Sequence, residues 1–135
     1  MKKAGKKQKS ARRKPLIQAR AAETRARILQ KAREVFAEHG FDGANVREIA
    51  AAAETTHSMI TYHFSSKEEL WRDAVRNMFA LLQQHVLDTT EDEHELPAVE
   101  RFRRMARRYV HYCAAHPEHA RITMVESIRG GERLE

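Results

Sequence analysis

The sequence predicts an all-α protein, and three observations carry that prediction. Only 5 Gly and 3 Pro interrupt 135 residues rich in Ala, Arg, Glu and Leu, a composition that favours helices. Apolar residues make up 41% of the chain and recur at helical rather than alternating spacing. No Asn-Gly or Asp-Gly turn links two β-rich runs. There is no internal repeat.

The elements follow in order. Ile28, Leu29, Ala32, Val35, Phe36 and His39 share one face of a first helix, expected from about Ala22 to His39 with Gly40 as its stop. Asn45 to Glu48 reads as a capping box opening a second, two-turn helix, whose inner face is Val46, Ile49, Ala50 and Ala53. Glu54-Thr55 is a short turn, and Thr56 caps a third helix running to about His63. A second capping box, Ser66 to Glu69, opens a long fourth helix through about Leu87, with Leu70, Trp71, Ala74, Val75, Met78, Leu81 and Leu82 inward. Asp88 to Glu95 is acidic and aperiodic, hence an expected loop. Pro97 suits the first turn of a fifth helix with Val99, Phe102, Met105, Ala106, Tyr109 and Cys113 as its expected buried face. Pro117 starts a sixth, carrying Ile122, Val125 and Ile128 and closed by Gly130-Gly131.

Charge is unevenly spread. The net charge is +6. Residues 1–20 hold Lys2, Lys3, Lys6, Lys7, Lys9, Arg12, Arg13, Lys14 and Arg20 and no acid, whereas residues 21–135 carry more acids than bases. Such a block is expected to be disordered by itself and drawn to polyanions, the ordinary alternative being a solubilising tail. The lone Cys113 excludes an intrachain disulfide framework and suits a reducing cytosol. No apolar run approaches the roughly 18 residues of a membrane span, and no hydrophobic signal region follows the basic start, so a soluble, intracellular chain with no membrane partner is expected.

Helices two and three are each about two turns long and joined by about three residues, the format of a helix-turn-helix, whose second helix enters the DNA major groove. Within the third, Ile60 and Phe64 are four apart and share the buried side. His57, Ser58, Thr61 and Tyr62 then project to the opposite side.

The segment "RILQKAREVFAEHGFDGANVREIAAAAETTHSMITYHFSSKEELW" resembles the DNA-binding domain of the TetR family of bacterial regulators. The match lies in Ile28 to Phe36 with Gly40-Phe41, in Val46 to Ala53, and in Tyr62 to Leu70. It is close over residues 25–75 and weaker over 96–135, where "HPEHARITMVES" is similar to the start of the family's variable C-terminal domain. The resemblance implies a three-helix, homeodomain-like helix-turn-helix domain at 21–66, after a basic arm at 1–20. A partial helical ligand-binding and dimerisation domain follows at 67–135. The family is usually longer, so that last region is expected to be incomplete. Glu54 stands where the family usually has Gly, and Thr61 where many members have a phosphate-contacting Tyr.

By the resemblance, Asn45 and Arg47 touch DNA, Arg47 by pairing with guanine or by binding phosphate, unless it is simply a solvated arginine. Thr56 caps helix three and offers backbone N–H groups to a phosphate, though a cap alone needs no DNA. His57 and Ser58 are the candidates for base contact, against plain exposed filler. Thr61, Tyr62 and His63 suit phosphate contact, with packing against helix one the alternative for His63. Lys67 matches a phosphate-contacting lysine of the family or is an ordinary surface lysine.

The implied partners are double-stranded DNA, a second copy of the chain, and a small-molecule inducer. The implied function is a sequence-specific, ligand-responsive repressor bound as a dimer to a palindrome, in the cytoplasm at the nucleoid. A nonspecific nucleic-acid-binding module driven by residues 1–20 is the alternative. No P-loop, dinucleotide fingerprint, nucleophile elbow or HExxH occurs, so neither an enzyme nor a cofactor is expected. His111, Cys113, His116 and His119 match no zinc spacing, and no metal is expected. Arg101, Arg103, Arg104, Arg107 and Arg108 read as a solvated or acid-paired face rather than an anion site. Trp71, Met78, His85, Met105, Tyr109 and Met124 form core or line an effector pocket.

Overall fold

The computed structural model describes the backbone of residues 4–88 and 91–133 and the side chains of residues 15–88 and 93–133. Every regular element among these is helical: α1 (Ala4–Gly43), α2 (Val46–Ala52), α3 (His57–His63), α4 (Lys67–Leu82), a π-helical turn (Gln83–Leu87), α5 (Glu91–His94), α6 (Ala98–Ala115) and α7 (Pro117–Ile128).

The helical run of α1 extends from Ala4 rather than starting near Ala22, with Pro15 inside it. No glycine lies between Gly5 and Gly40, and Ala and Arg are strong helix formers. The lysines and arginines of residues 1–14, which carry most of the expected arm's charge, lie outside the described side chains. Gly40 ends the helix as expected. Its φ of 69° is one that residues with a Cβ rarely adopt, and it turns the chain into Phe41–Gly43.

The caps follow the sequence in part. Asn45 Oδ1 accepts from Arg47 N at 2.9 Å, but Glu48 does not reach back to complete a box and meets His39 Nε2 at 3.2 Å instead. Ser66 Oγ accepts from Glu69 N at 3.1 Å, while the Glu69 carboxylate takes the N–H of Ser65, one residue earlier than a capping box requires, at 2.9 Å. Those Ser65 bonds hold the Glu69 carboxyl below the ordinary carboxylate range.

The core joins Ile28, Leu29, Ala32 and Phe36 of α1 to Ile49 and Ala50 of α2, Ile60 and Phe64 of the α3 region, Leu70, Trp71, Ala74 and Met78 of α4, and Ile122 of α7. Burying each large side chain contributes about 1.5–3 kcal/mol. Phe36 and Trp71 meet edge to face at 4.9 Å, fixing α4 against α1. Arg25 Nη2 on α1 adds an ion pair to Asp73 of α4 at 2.5 Å.

Two expectations beyond α4 are corrected. The acidic loop contains the single turn α5, held to α6 by Arg108, whose Nη1 lies 2.6 Å from Glu93 Oε1. The apolar face of α6 is not buried. Val99, Phe102 and Tyr109 are 70%, 66% and 48% exposed, Met105, Ala106 and Cys113 are half-buried, and Tyr112 is the residue of α6 that is buried. On α7 Ile122 is buried, Val125 is half-buried and Ile128 is exposed. The apolar arc of α6 is wider than the contact it makes. Its Tyr112 edge turns toward α4 and the π turn, and no described element covers the rest.

Candidate nucleic-acid interface

α2 and α3 are set by a turn in which Thr55 N donates to Ala50 O at 2.9 Å and Glu54 N to Ala51 O at 3.1 Å. This paired closure is a Schellman motif, with Glu54 at its left-handed position, φ 49°. The sequence departs from glycine here, and the backbone keeps the glycine-like conformation. Arg27 of α1 braces the same turn, its Nε donating to Ala53 O at 2.8 Å.

Thr56 caps α3 by accepting from Met59 N at 3.2 Å. Ile60 and Phe64 are each 2% exposed and pin the helix to the core, and the Arg25 guanidinium lies 5.0 Å from the Phe64 ring centroid. With that side fixed, Thr56, His57, Ser58, Thr61 and Tyr62 are exposed, Tyr62 at 76%. Asn45 and Arg47 are exposed at the start of α2. Arg47, His57 and Tyr62 have no side-chain hydrogen-bond partner among the described residues. The hydroxyls are partly engaged: Thr56 Oγ1 and Ser58 Oγ are 2.9 Å apart, and Thr61 Oγ1 donates to His57 O at 3.1 Å.

His63 and Lys67 stand apart from this group. His63 is half-buried between the Tyr62 and Phe64 rings, and its Nε2 is buried without a partner. Lys67 is half-buried too. Its ammonium lies 4.9 Å from the Phe41 ring centroid and donates to Asp42 O at 3.4 Å, so it braces the α1–α2 turn.

Residues 28–74, which contain this whole unit, match the profile of the bacterial regulatory proteins of the tetR family. The chain belongs to the TetR family. It is 31% identical over 115 residues to the HTH-type transcriptional repressor NicS of Pseudomonas putida, a match covering 82% of this chain and 51% of NicS. It is 35% identical over 77 residues to the HTH-type transcriptional repressor DhaR of a Mycobacterium species, covering 57% of this chain and 38% of DhaR. The fold is shared with a HlyIIR mutant protein at TM-score 0.70 and 22% identity, over 84% of this chain and 60% of that one. This chain thus spans about half the length of NicS.

The TetR-family match ends within α4, and the suspected effector residues do not converge. Trp71 and Met78 are core. His85 lines a groove beside α6, Met105 another near Leu87, and Tyr109 with Met124 a third between α6 and α7. Among the described residues no group of three or more His, Cys, Asp and Glu side chains is placed to hold a metal. No described helix is long and apolar enough to cross a membrane. Sequence reasoning missed Arg25 and Arg27, since their partners lie 48 and 26 residues away and leave no local signal.

Proposed function

We propose that this chain is the DNA-reading part of a ligand-responsive transcriptional repressor that binds a palindromic operator as a homodimer. The observation that carries the reading is α3, held from below by Ile60 and Phe64 while His57, Ser58, Thr61 and Tyr62 face outward. A helix so presented inserts its leading end into the major groove, where His57 and Ser58 meet base edges. Arg47 contacts guanine or phosphate, Asn45, Thr56, Thr61 and Tyr62 line the backbone, and His63 and Lys67 complete the set from its edge. NicS and DhaR, both repressors, support the regulatory direction. Two-fold pairing places one α3 in each half-site, and an inducer acts by changing their spacing. The site of action is the nucleoid.

The basic block of residues 1–20 favours a second reading, a nonspecific nucleic-acid binder. Fluorescence anisotropy with the DNA upstream of the protein's own gene and a scrambled duplex separates the two. Preference for the upstream DNA, with two chains per site and survival after deletion of residues 1–20, supports the repressor. Equal binding to both duplexes that disappears with the deletion supports the alternative.

A further inference from the structure

We propose that Arg27 of α1 is a phosphate anchor of the DNA-reading unit, holding the nucleic-acid backbone beside the entry to α3. The inference rests on the DNA-binding reading above and deepens it with a contact from outside α2 and α3.

The side chain is half committed. Its Nε donates to Ala53 O at 2.8 Å, which ties the guanidinium to the turn three residues ahead of the Thr56 cap. With Nε spent there, the two terminal nitrogens are left as an end-on fork in a fixed plane. Arg27 is exposed, and that fork has no hydrogen-bond or ion-pair partner among the described residues. A guanidinium fork matches two oxygens of a phosphate.

The neighbouring charges sharpen the contrast. Arg25 is spent on Asp73 and the Phe64 ring, and Arg33 on Asn77 and Glu118. Glu23 stands one turn before Arg27, at a spacing that favours an ion pair, yet forms none with it. Glu54, next to the bonded carbonyl, is exposed and does not pair with it either. Arg20 lies seven residues earlier, about 10 Å along the axis on nearly the same face, exposed and without a partner among the described residues. Two guanidinium groups with unspent donors therefore follow one edge of α1 toward the start of α3.

The position gives the contact a purpose. Phosphate contacts fix the register of a reading helix, whereas base contacts choose the sequence. An anchor at this turn sets where His57 and Ser58 enter the groove. The bond to Ala53 O passes the hold to α3 through a short, closed turn. The ordinary alternative is an arginine that braces the turn and leaves its charge to water.

Fluorescence anisotropy of the full chain on the upstream duplex and its scrambled counterpart, from about 50 to 200 mM salt, tests the anchor. Arg27→Gln keeps an N–H at the position of Nε and removes the charged fork. Its melting curve should match the parent's while binding weakens at least about fivefold. The slope of log affinity against log salt should become shallower by about 0.9 per bound chain, equally on both duplexes. A parent-like slope overturns the proposal even where binding weakens, because a brace alone releases no counterions. Arg27→Lys restores the charge without the Nε donor and should keep the parental slope. If Arg27→Gln melts lower, the Gln and Lys variants both lack the brace, and equal slopes for the two overturn the proposal. A slope change without preference for the upstream duplex keeps the anchor and counts against the sequence-specific reading. Preference with no slope change does the reverse, and binding to neither duplex overturns both.

Discussion

Arg133, beyond the last helix, grips Asp42 at the turn that opens into the DNA-reading helices: its Nη2 lies 3.3 Å from Asp42 Oδ1, and its guanidinium sits 4.7 Å from the Phe41 ring centroid. Arg133 O accepts from Trp71 Nε1 at 3.3 Å, so the same residue is tied to α4. Arg129 adds a second pair to Asp42 at 3.6 Å, and Glu126, 2% exposed, holds both arginines from beneath at 3.9 Å. The end of α7 is thereby tied to Asp42, which stands three residues before Asn45 and five before Arg47.

The Arg133→Ala variant should unfold more easily by only about 1 kcal/mol, because the pair is solvent-screened and the ring contact modest. Its larger effect should be local. Hydrogen exchange at residues 41–46 is expected to quicken while exchange in α4 holds. Exchange that stays unchanged at that turn would show that Arg133 does not restrain it.

The Glu54→Gly variant should gain about 0.5–1 kcal/mol, since only the Cβ opposes the left-handed φ of 49°. Glu54→Ala should gain nothing by this route. Chemical denaturation of the three proteins measures the difference, and equal stability of the Gly and Ala variants would refute the strain.

Arg47→Ala should weaken specific operator binding by about tenfold to a hundredfold, the worth of one good base or phosphate contact, and leave stability within about 0.5 kcal/mol. Ile60→Ala should do the opposite in kind. It empties a fully buried site and costs about 2–5 kcal/mol, with DNA binding lost because α3 is no longer held. Paired melting and anisotropy measurements on the two variants distinguish contact from support.

Acid should loosen α7 before it affects the α4 cap. His119 is 5% exposed with Nδ1 unpartnered, and burial holds its imidazole below the ordinary 6.5, with Glu118 opposing and His116 and Arg33 reinforcing that shift. The unfolded chain therefore binds the proton more readily. Stability is full above about pH 6.5 and declines as pH falls through the depressed folded value. Glu69, held below its ordinary 4.5, withdraws its contribution only at pH below that. His119→Leu should flatten the fall in melting temperature between about pH 7.5 and 5.5, and an unchanged slope would assign that fall to other groups.

Side-chain period and local backbone preference made most of the helices, the turn at Gly40 and the two faces of α3 legible, but not the start of α1 at Ala4 or the single turn α5. Ile60 and Phe64 went inward as their spacing required, and Thr56 caps as its hydroxyl allows. Tertiary structure decided what local rules cannot reach. Glu48 left its expected cap for His39, nine residues back, and His63 and Lys67 turned from the exposed set toward their neighbours. The apolar stripe of α6 shows the limit most plainly. Its spacing says which residues share a face, but burial needs a partner surface, and Phe102 at 66% exposure has none among the described residues. Arg25, Arg27 and Arg133 brace the DNA-reading unit through partners 26 to 91 residues distant, and only folding brings such partners together.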